Sequence, residues 1–357
     1  MKMTMRRAAA LLMVLCCLFP SLTPAEDLVI EETIEESLPE NSGEQAAAAD
    51  ETVTERNGWH FDAKGFLTGN DNPGEEYILE DEEGGNWQYA SRDLSIRITR
   101  FQEPYNKKKI REYCVAEIWA TAESPMMSIF SSAEKKMPEG AKQVSPKLLI
   151  EKHPCIFAMS DDFYGSRLRN IINRTSSRQP GIIIRNGEIR WEKTKSVTSK
   201  TARQRPCLDT LALYADGSMK TYASDAMTAE EYLAKGAWQV FAFGPWLISE
   251  GKINEKEAVE GCGYYEQMEP LCGLGMVEPF HYIAIVLRGR PKTKYAGAHL
   301  SWLADKMLEY GCVEALNLDG GGTACMTFNG KVIIQGQENL RSMGSMIVFG
   351  LREQAEE

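Results

Sequence analysis

Three consecutive glycines directly after a carboxylate, Asp319-Gly320-Gly321-Gly322, constrain this chain more than any other stretch. With no Cβ atoms, the backbone there enters conformations closed to other residues and lets another group approach closely. Upstream, Val313 to Leu318 shows an apolar alternation, the period of a strand. Downstream, a second alternation from Met326 to Ile334 is folded at Asn329-Gly330, the favoured pair for a two-residue hairpin turn. Before both, Leu300, Leu303, Ala304, Met307 and Leu308 recur at helical spacing and stop at Gly311, so residues 298–311 read as a helix feeding the strand. The order is helix, strand, glycine loop, hairpin. It sets Asn317 and Asp319 at or beyond a strand end, where glycine amides can point at an anion or a sugar oxygen. A tight turn that happens to carry an acidic residue is the plainer alternative.

The chain's start speaks to compartment. Lys2, Arg6 and Arg7 precede an apolar run over 8–19 and Thr23-Pro24-Ala25, the layout of a secretory signal over 1–25. Export follows, to a secreted or extracytoplasmic location, with a retained amino-terminal anchor as the alternative. Residues 26–56 hold eleven acidic residues and one basic one, with few large apolar groups. Such a segment cannot bury enough surface to offset its ordering entropy, so it reads as a disordered acidic tether. It accounts for nearly all of the chain's net charge of −11. The near balance elsewhere argues against nucleic acid and for a small or neutral-polymer substrate. Membrane contact is expected only through an uncleaved signal.

The rest suffices for a substantial core, and it divides into a β-rich part over 57–145 and a core region over 146–352. In the first, Trp87 to Ala90, Leu94 to Arg100 and Tyr113 to Trp119 alternate as strands, the last two as an antiparallel pair. Lys107, Lys108 and Lys109 interrupt them at a turn. Three lysines there read as a solvated hairpin tip or as a contact for an anionic polymer. Seven cysteines follow the signal and match no Cys-x-x-Cys metal pattern; Cys262 and Cys272 are the candidate disulfide, buried thiols the alternative.

In the core region an apolar strand from Cys155 stops at Asp161 and Asp162, adjacent carboxylates that are costly unless paired, solvated or used. Further hairpins turn at Asn186-Gly187 and Asp216-Gly217, Thr228 and Glu231 form a capping box, and Gly244-Pro245 breaks an apolar strand. Trp246 offers an aromatic wall for a sugar. No Walker loop, His-Glu-x-x-His or Gly-x-Ser-x-Gly pattern competes.

The whole run from Ala298 through the glycines to Thr323 resembles the signature of the phosphodiester glycosidase family. Residues 155–165 are similar to its Asn-Gly-Asp-Tyr-Tyr-Gly element, with Ser160 and Asp161 where Asn and Gly are usual and Asp162 retained. Residues 180–191 resemble it too. Residues 270–275 look like its Pro-Arg-Thr-Ala-Ile-Gly element, with Leu271 in place of Arg. The strand from His281 resembles one closing on Asp-Gly-Arg, with Arg288 in place of Asp and Arg290 as the arginine. Arg341 aligns with a family arginine.

The resemblance implies an α+β fold, strand-rich with mixed sheets and a few helices, and hydrolysis of a sugar-1-phosphodiester at the anomeric carbon. Asp319 would be the nucleophile or base and Asp162 its partner, with roles exchangeable. Asn317, Gly320, Gly321, Gly322, Thr323, Arg341, His281 and Arg290 would bind substrate, a carbohydrate or glycopolymer carrying a phosphodiester. His281 reads equally as a core histidine or a proton carrier. No cofactor is implied, although carboxylates and carbonyls can hold Ca²⁺. The rival reading is a non-catalytic glycopolymer-binding module, with Ser160, Asp161 and Leu271 marking a decayed site.

Overall fold

Strands dominate because apolar residues keep a period of two through stretch after stretch, rich in β-branched and aromatic side chains. The computed structural model describes residues 53–131, 143–162, 181–192, 208–254, 267–289 and 293–352. All lie in one compact unit, Asp50–Glu357. In chain order the strands are Thr54–Arg56 (β1), Trp59–Phe61 (β2), Tyr77–Asp81 (β3), Asn86–Ala90 (β4), Leu94–Asn106 (β5), Lys109–Ala120 (β6) and Met127–Phe130 (β7). The helix Pro146–Lys152 leads to Cys155–Ser160 (β8), Ile183–Arg185 (β9), Glu188–Trp191 (β10), Asp209–Tyr214 (β11) and Met219–Tyr222 (β12). The helix Ala229–Ala234 precedes Ala237–Phe243 (β13), Trp246–Ser249 (β14), Lys252–Ile253 (β15), Leu271–Glu278 (β16) and His281–Leu287 (β17). Last come the helix Leu300–Glu309, then Glu314–Asn317 (β18), Cys325–Phe328 (β19), Lys331–Gln335 (β20) and Ser345–Leu351 (β21).

Nine strands form one sheet in the order β15-β14-β18-β16-β17-β6-β5-β4-β3. Two five-stranded sheets, β20-β19-β8-β21-β7 and β10-β9-β13-β11-β12, and the small β1–β2 hairpin complete the set. Every strand-to-strand ladder among the described residues is antiparallel, and the isolated bridge between Ile110 and Tyr295 is parallel. The turns fall where their chemistry asks: Asn186-Gly187 and Asn329-Gly330 are left-handed at both positions, as a two-residue hairpin requires. The capping box of Thr228 and Glu231 opens the helix Ala229–Ala234. One boundary moves. Thr54–Arg56, expected in the acidic tether, pairs instead with Trp59–Phe61.

Side-chain parity splits the nine-stranded sheet between two cores. Tyr113 and Val115 of β6, with Ile283, Ile285 and Leu287 of β17, face the helix Leu300–Glu309. Cys114, Ala116 and Ile118, with Tyr282, Ala284 and Val286, face the opposite way and meet Phe157, Met159, Phe241, Met326 and Ile347 of the two five-stranded sheets. Each large apolar side chain fully buried here contributes about 1.5–3 kcal/mol. Gly273 lets the helix seat closely, since a Cβ there would lie 2.8 Å from Met307 Cε. Leu271, standing where the family pattern has arginine, belongs to this helix-facing cluster. The β-rich stretch 57–145 does not stand apart, because β6 pairs with β17 from Trp119↔His281 to Tyr113↔Leu287.

Register also gathers strand ends along one rim. Asn317 sits opposite Gly273, Leu271 opposite Leu287, and Leu287 opposite Tyr113. From that rim, residues 318–324 cross to β19, which lies beside β8. Strand ends from two sheets therefore meet at Asp319.

Candidate active site

Backbone hydrogen bonds fix Asp319. Leu318 N–H donates to the Cys272 carbonyl at 2.8 Å, and Asp319 N–H donates to the Asp161 carbonyl at 3.1 Å, so both sheets hold the loop. The glycines serve close backbone approach. A Cβ on Gly320 would lie 2.3 Å from the Pro270 carbonyl oxygen, and one on Gly336 2.4 Å from that of Gly321. Gly321 is left-handed, and its N–H donates to Pro270 at 3.0 Å. The expected open cradle of glycine amides is thus corrected at Gly321, whose amide is drawn inward to knit three segments together. Arg341 N–H donates to the Gly322 carbonyl at 2.7 Å, and its exposed side chain lies over Gly322.

Asp319 is partly exposed. The Thr323 hydroxyl lies 2.5 Å from its Oδ2 and 2.8 Å from the Gly320 carbonyl, which orients the carboxylate. The neighbouring carboxylates are different. Asp161 is 2% exposed, and its Oδ2 accepts from the Ser345 hydroxyl. Asp162 is 0% exposed; its Oδ1 is 2.7 Å from Arg185 Nη2 and its Oδ2 accepts Ala242 N–H at 2.8 Å. Asp162 therefore stands beside the rim with its carboxylate turned inward.

Arg185 explains how a strand can end in two aspartates. Its guanidinium is wholly buried, reaches Asp162, lies 3.8 Å from Asp161 Oδ2, rests 4.2 Å from the Phe241 ring centroid and donates from Nη1 to the carbonyls of Ile184 and Val240. Buried charges persist only when paired and hydrogen-bonded. The sequence marks residues 180–191 as a hairpin similar to the family's and gives Arg185 no role. The available signal was an arginine on the same strand face as Ile183, in a chain with two carboxylates in want of a cation.

Asn317 takes a structural place. It is 6% exposed, donates from Nδ2 to the Gly244 carbonyl at 2.9 Å, and exchanges backbone bonds with Gly244 and Pro245 across their cis peptide. Asp209 accepts Trp246 N–H at 3.2 Å next to that turn. Trp246 is partly buried against the shared core. The Ser160 hydroxyl accepts Cys325 N–H at 3.3 Å and lies 3.3 Å from Cys272 Sγ. Burial, and the charges of Asp319 and Asp161, push the Cys272 thiol up to about 12 against the lowering effect of Ser160. At neutral pH it is a thiol, not a nucleophile. It is also unbridged, which corrects the expected disulfide; Cys262 lies outside the described residues.

His281 is not brought to this rim. It starts β17, six residues before Leu287, so strand rise sets it roughly 20 Å from the Asp319 end. There its Nε2 lies 3.1 Å from Glu117 Oε1 and its ring stacks on Trp119 at 4.3 Å. Arg288 points to Glu112 at 2.7 Å, and Arg290 lies outside the described residues. Among the described residues, no group of three or more His, Cys, Asp or Glu could hold a metal ion, and no helix is long and apolar enough to cross a membrane.

Comparison with known proteins agrees with this architecture. The catalytic domain of zebrafish N-acetylglucosamine-1-phosphodiester alpha-N-acetylglucosaminidase, solved auto-inhibited by its pro-peptide, superposes with a TM-score of 0.53 at 14% identity, covering 78% of this chain and 89% of that one. At that identity the likeness shows the fold. The SPbeta prophage-derived uncharacterized protein YomE of Bacillus subtilis (strain 168) is 29% identical over 118 residues, 33% of this chain; the match spans only 18% of YomE's length. The family model for phosphodiester glycosidases matches residues 154–350, more than half of the chain, including Asp161, Asp162, Asp319 and Arg341. The chain belongs to the phosphodiester glycosidase family.

Proposed function

We propose that this protein is an exported hydrolase that cleaves a sugar-1-phosphodiester at the anomeric carbon, acting on a cell-surface or extracellular glycan. The observation that carries the reading is Asp319. Of the three aspartates at the rim it is the one solvent reaches, with Thr323 orienting its Oδ2 and Arg341 beside it at Gly322. Asp319 acts at the anomeric carbon as nucleophile or base. A phosphodiester is a weakly basic leaving group that needs little protonation, and an exposed guanidinium offers the planar fork that suits its oxygens. Asp162 supports rather than attacks: with Arg185 it anchors the Asp161 backbone, whose carbonyl holds Asp319. Export rests on residues 1–25.

Hydrolysis of a UDP-sugar or a simple sugar-1-phosphodiester in oxygen-18 water tests the chemistry. Attack at carbon puts the label in the sugar. Label in the phosphate product means attack at phosphorus and overturns the reading. The binding-module reading draws on Leu271, which is an apolar residue 5% exposed under a helix and offers a ligand no charge. Binding of the same compounds without release of free sugar would select it.

A further inference from the structure

The rim that carries Asp319 also carries a basic projection that the proposed chemistry leaves unused. The β5–β6 hairpin continues past Tyr113, the partner of the last residue of β17, and turns at Lys107 and Lys108. Asn106 Oδ1 accepts the N–H groups of Lys108 and Lys109 at 2.9 and 3.0 Å, which orders the turn. A second segment, which carries Lys294, is tied alongside. Ile110 N–H donates to the Lys294 carbonyl at 3.0 Å, and Ala296 N–H donates to the Ile110 carbonyl at 2.9 Å. Aromatic rings interleave with the cations: the Arg111 guanidinium lies 5.2 Å from both Tyr105 and Trp302, and Lys294 lies 5.1 Å from Tyr295.

Lys107, Lys108 and Lys294 are exposed, as is Tyr105, and among the described residues none of the three lysines forms an ion pair. The nearest acidic side chain on the arm, Glu103, accepts from the Tyr113 hydroxyl. The acidic turn of the neighbouring hairpin, at Glu82 and Glu83, sits level with Arg100 and so stops short of the lysines. A lysine turn alone is an ordinary solvated tip. This one is ordered, joined to the segment that carries Lys294, interleaved with rings and aligned on the same strand ends as Asp319. Three strand spacings and the overhang of the hairpin put it on the order of 20 Å from that carboxylate.

We propose that the β5–β6 tip, with Arg111 and Lys294, is a secondary binding surface for a linear polymer that carries a phosphodiester in each repeat. A chain held there can present another of its linkages to Asp319; the identity of the repeat rests on the phosphodiester reading above. Charge complementarity supplies the attraction, and the rings add stacking area for sugar or polyol faces. The substrate then is a polymer rather than a short diester.

The test compares the full chain with its Lys107→Gln/Lys108→Gln/Lys294→Gln variant, using fluorescently labelled poly(glycerol phosphate) in an anisotropy titration at two salt concentrations. Removing three exposed charges should weaken binding about tenfold at low ionic strength, less at high salt. The kcat and KM for a single small sugar-1-phosphodiester should not change. Equal affinity of the two proteins for the polymer overturns the proposal, as does equal affinity of the wild type for dextran or tighter binding of single-stranded DNA. Charge-dependent binding without turnover of any substrate sinks the glycosidase reading and leaves this surface standing. Turnover with charge-independent binding does the reverse.

Discussion

The two ends of the nine-stranded sheet bring together the same kinds of side chain and hold them in opposite ways. At one end His281, Trp119, Glu117 and Arg97 come from three adjacent strands, and each contact is a direct or diagonal neighbour in the ladder. The imidazole stacks on the indole at 4.3 Å, the Arg97 guanidinium lies 5.1 Å from the same ring system, and Glu117 Oε1 lies 3.1 Å from the imidazole Nε2. At the other end Asp319 is positioned by Asp161, Pro270, Gly336 and Thr323, segments drawn from two sheets and joined largely through backbone atoms. Local pairs on a regular ladder satisfy one another and leave little for a ligand. Crossing segments with glycines at their contacts bring a carboxylate to solvent without giving it freedom to turn away.

That contrast breaks most sharply at Asp319. Asp319→Asn keeps size and hydrogen bonding but removes the charge, and turnover should fall by roughly four orders of magnitude with the melting temperature within a few degrees of wild type. Steady-state kinetics and calorimetry on the same preparation check both. Wild-type rates would remove Asp319 from the chemistry. Next in size is Arg185→Met, which strands the Asp162 carboxylate in a dry interior and should cost about 3–5 kcal/mol of stability in urea denaturation. Activity should go with it, since the Asp161 carbonyl loses its anchor. A cost under about 1 kcal/mol would mean that the pair is replaceable and does not hold the rim.

Much of this was legible in the sequence, for reasons that differ by region. The helix Leu300–Glu309, the strand behind Asp319 and the Asn329-Gly330 hairpin follow from period, caps and turn chemistry, all local properties. The position of Asp319 just beyond a strand end was legible too, because the apolar alternation runs to Leu318 and the glycines after it mark where the strand stops. What stayed hidden was pairing between distant segments. Nothing local says that Arg185 meets Asp162, that Gly321 turns its amide to Pro270, or that Asn317 closes on Gly244. His281 misled for the same reason in reverse: its place in a motif is local, but which end of the sheet it occupies depends on the register of three strands.

Gly320→Ala sharpens the comparison on the glycine side. The added methyl would stand 2.3 Å from the Pro270 carbonyl oxygen, backbone that cannot swing aside as a side chain would. Overpacking of this kind costs about 1–3 kcal/mol. The strain falls between the loop that carries Asp319 and the strand beside it, so kcat should drop along with the melting temperature. A variant that matches wild type in both would show that the three backbone segments are not in firm contact.

The smallest effect is expected at the other end of the sheet, and there the absence of a functional change is the informative result. His281→Ala removes a stack on Trp119 and a partly exposed contact with Glu117. Together these are worth about 1 kcal/mol, because exposed ion pairs contribute little and ring stacking adds only modestly to burial. Neither partner reaches the Asp319 rim, so kcat and KM for a small sugar-1-phosphodiester should match wild type across the neutral pH range. A loss of more than tenfold in kcat with the melting temperature preserved would restore His281 as a proton carrier and would require a route from the far end of the sheet to the bond being broken. A loss of stability alone would confirm that this histidine serves the ladder it sits in.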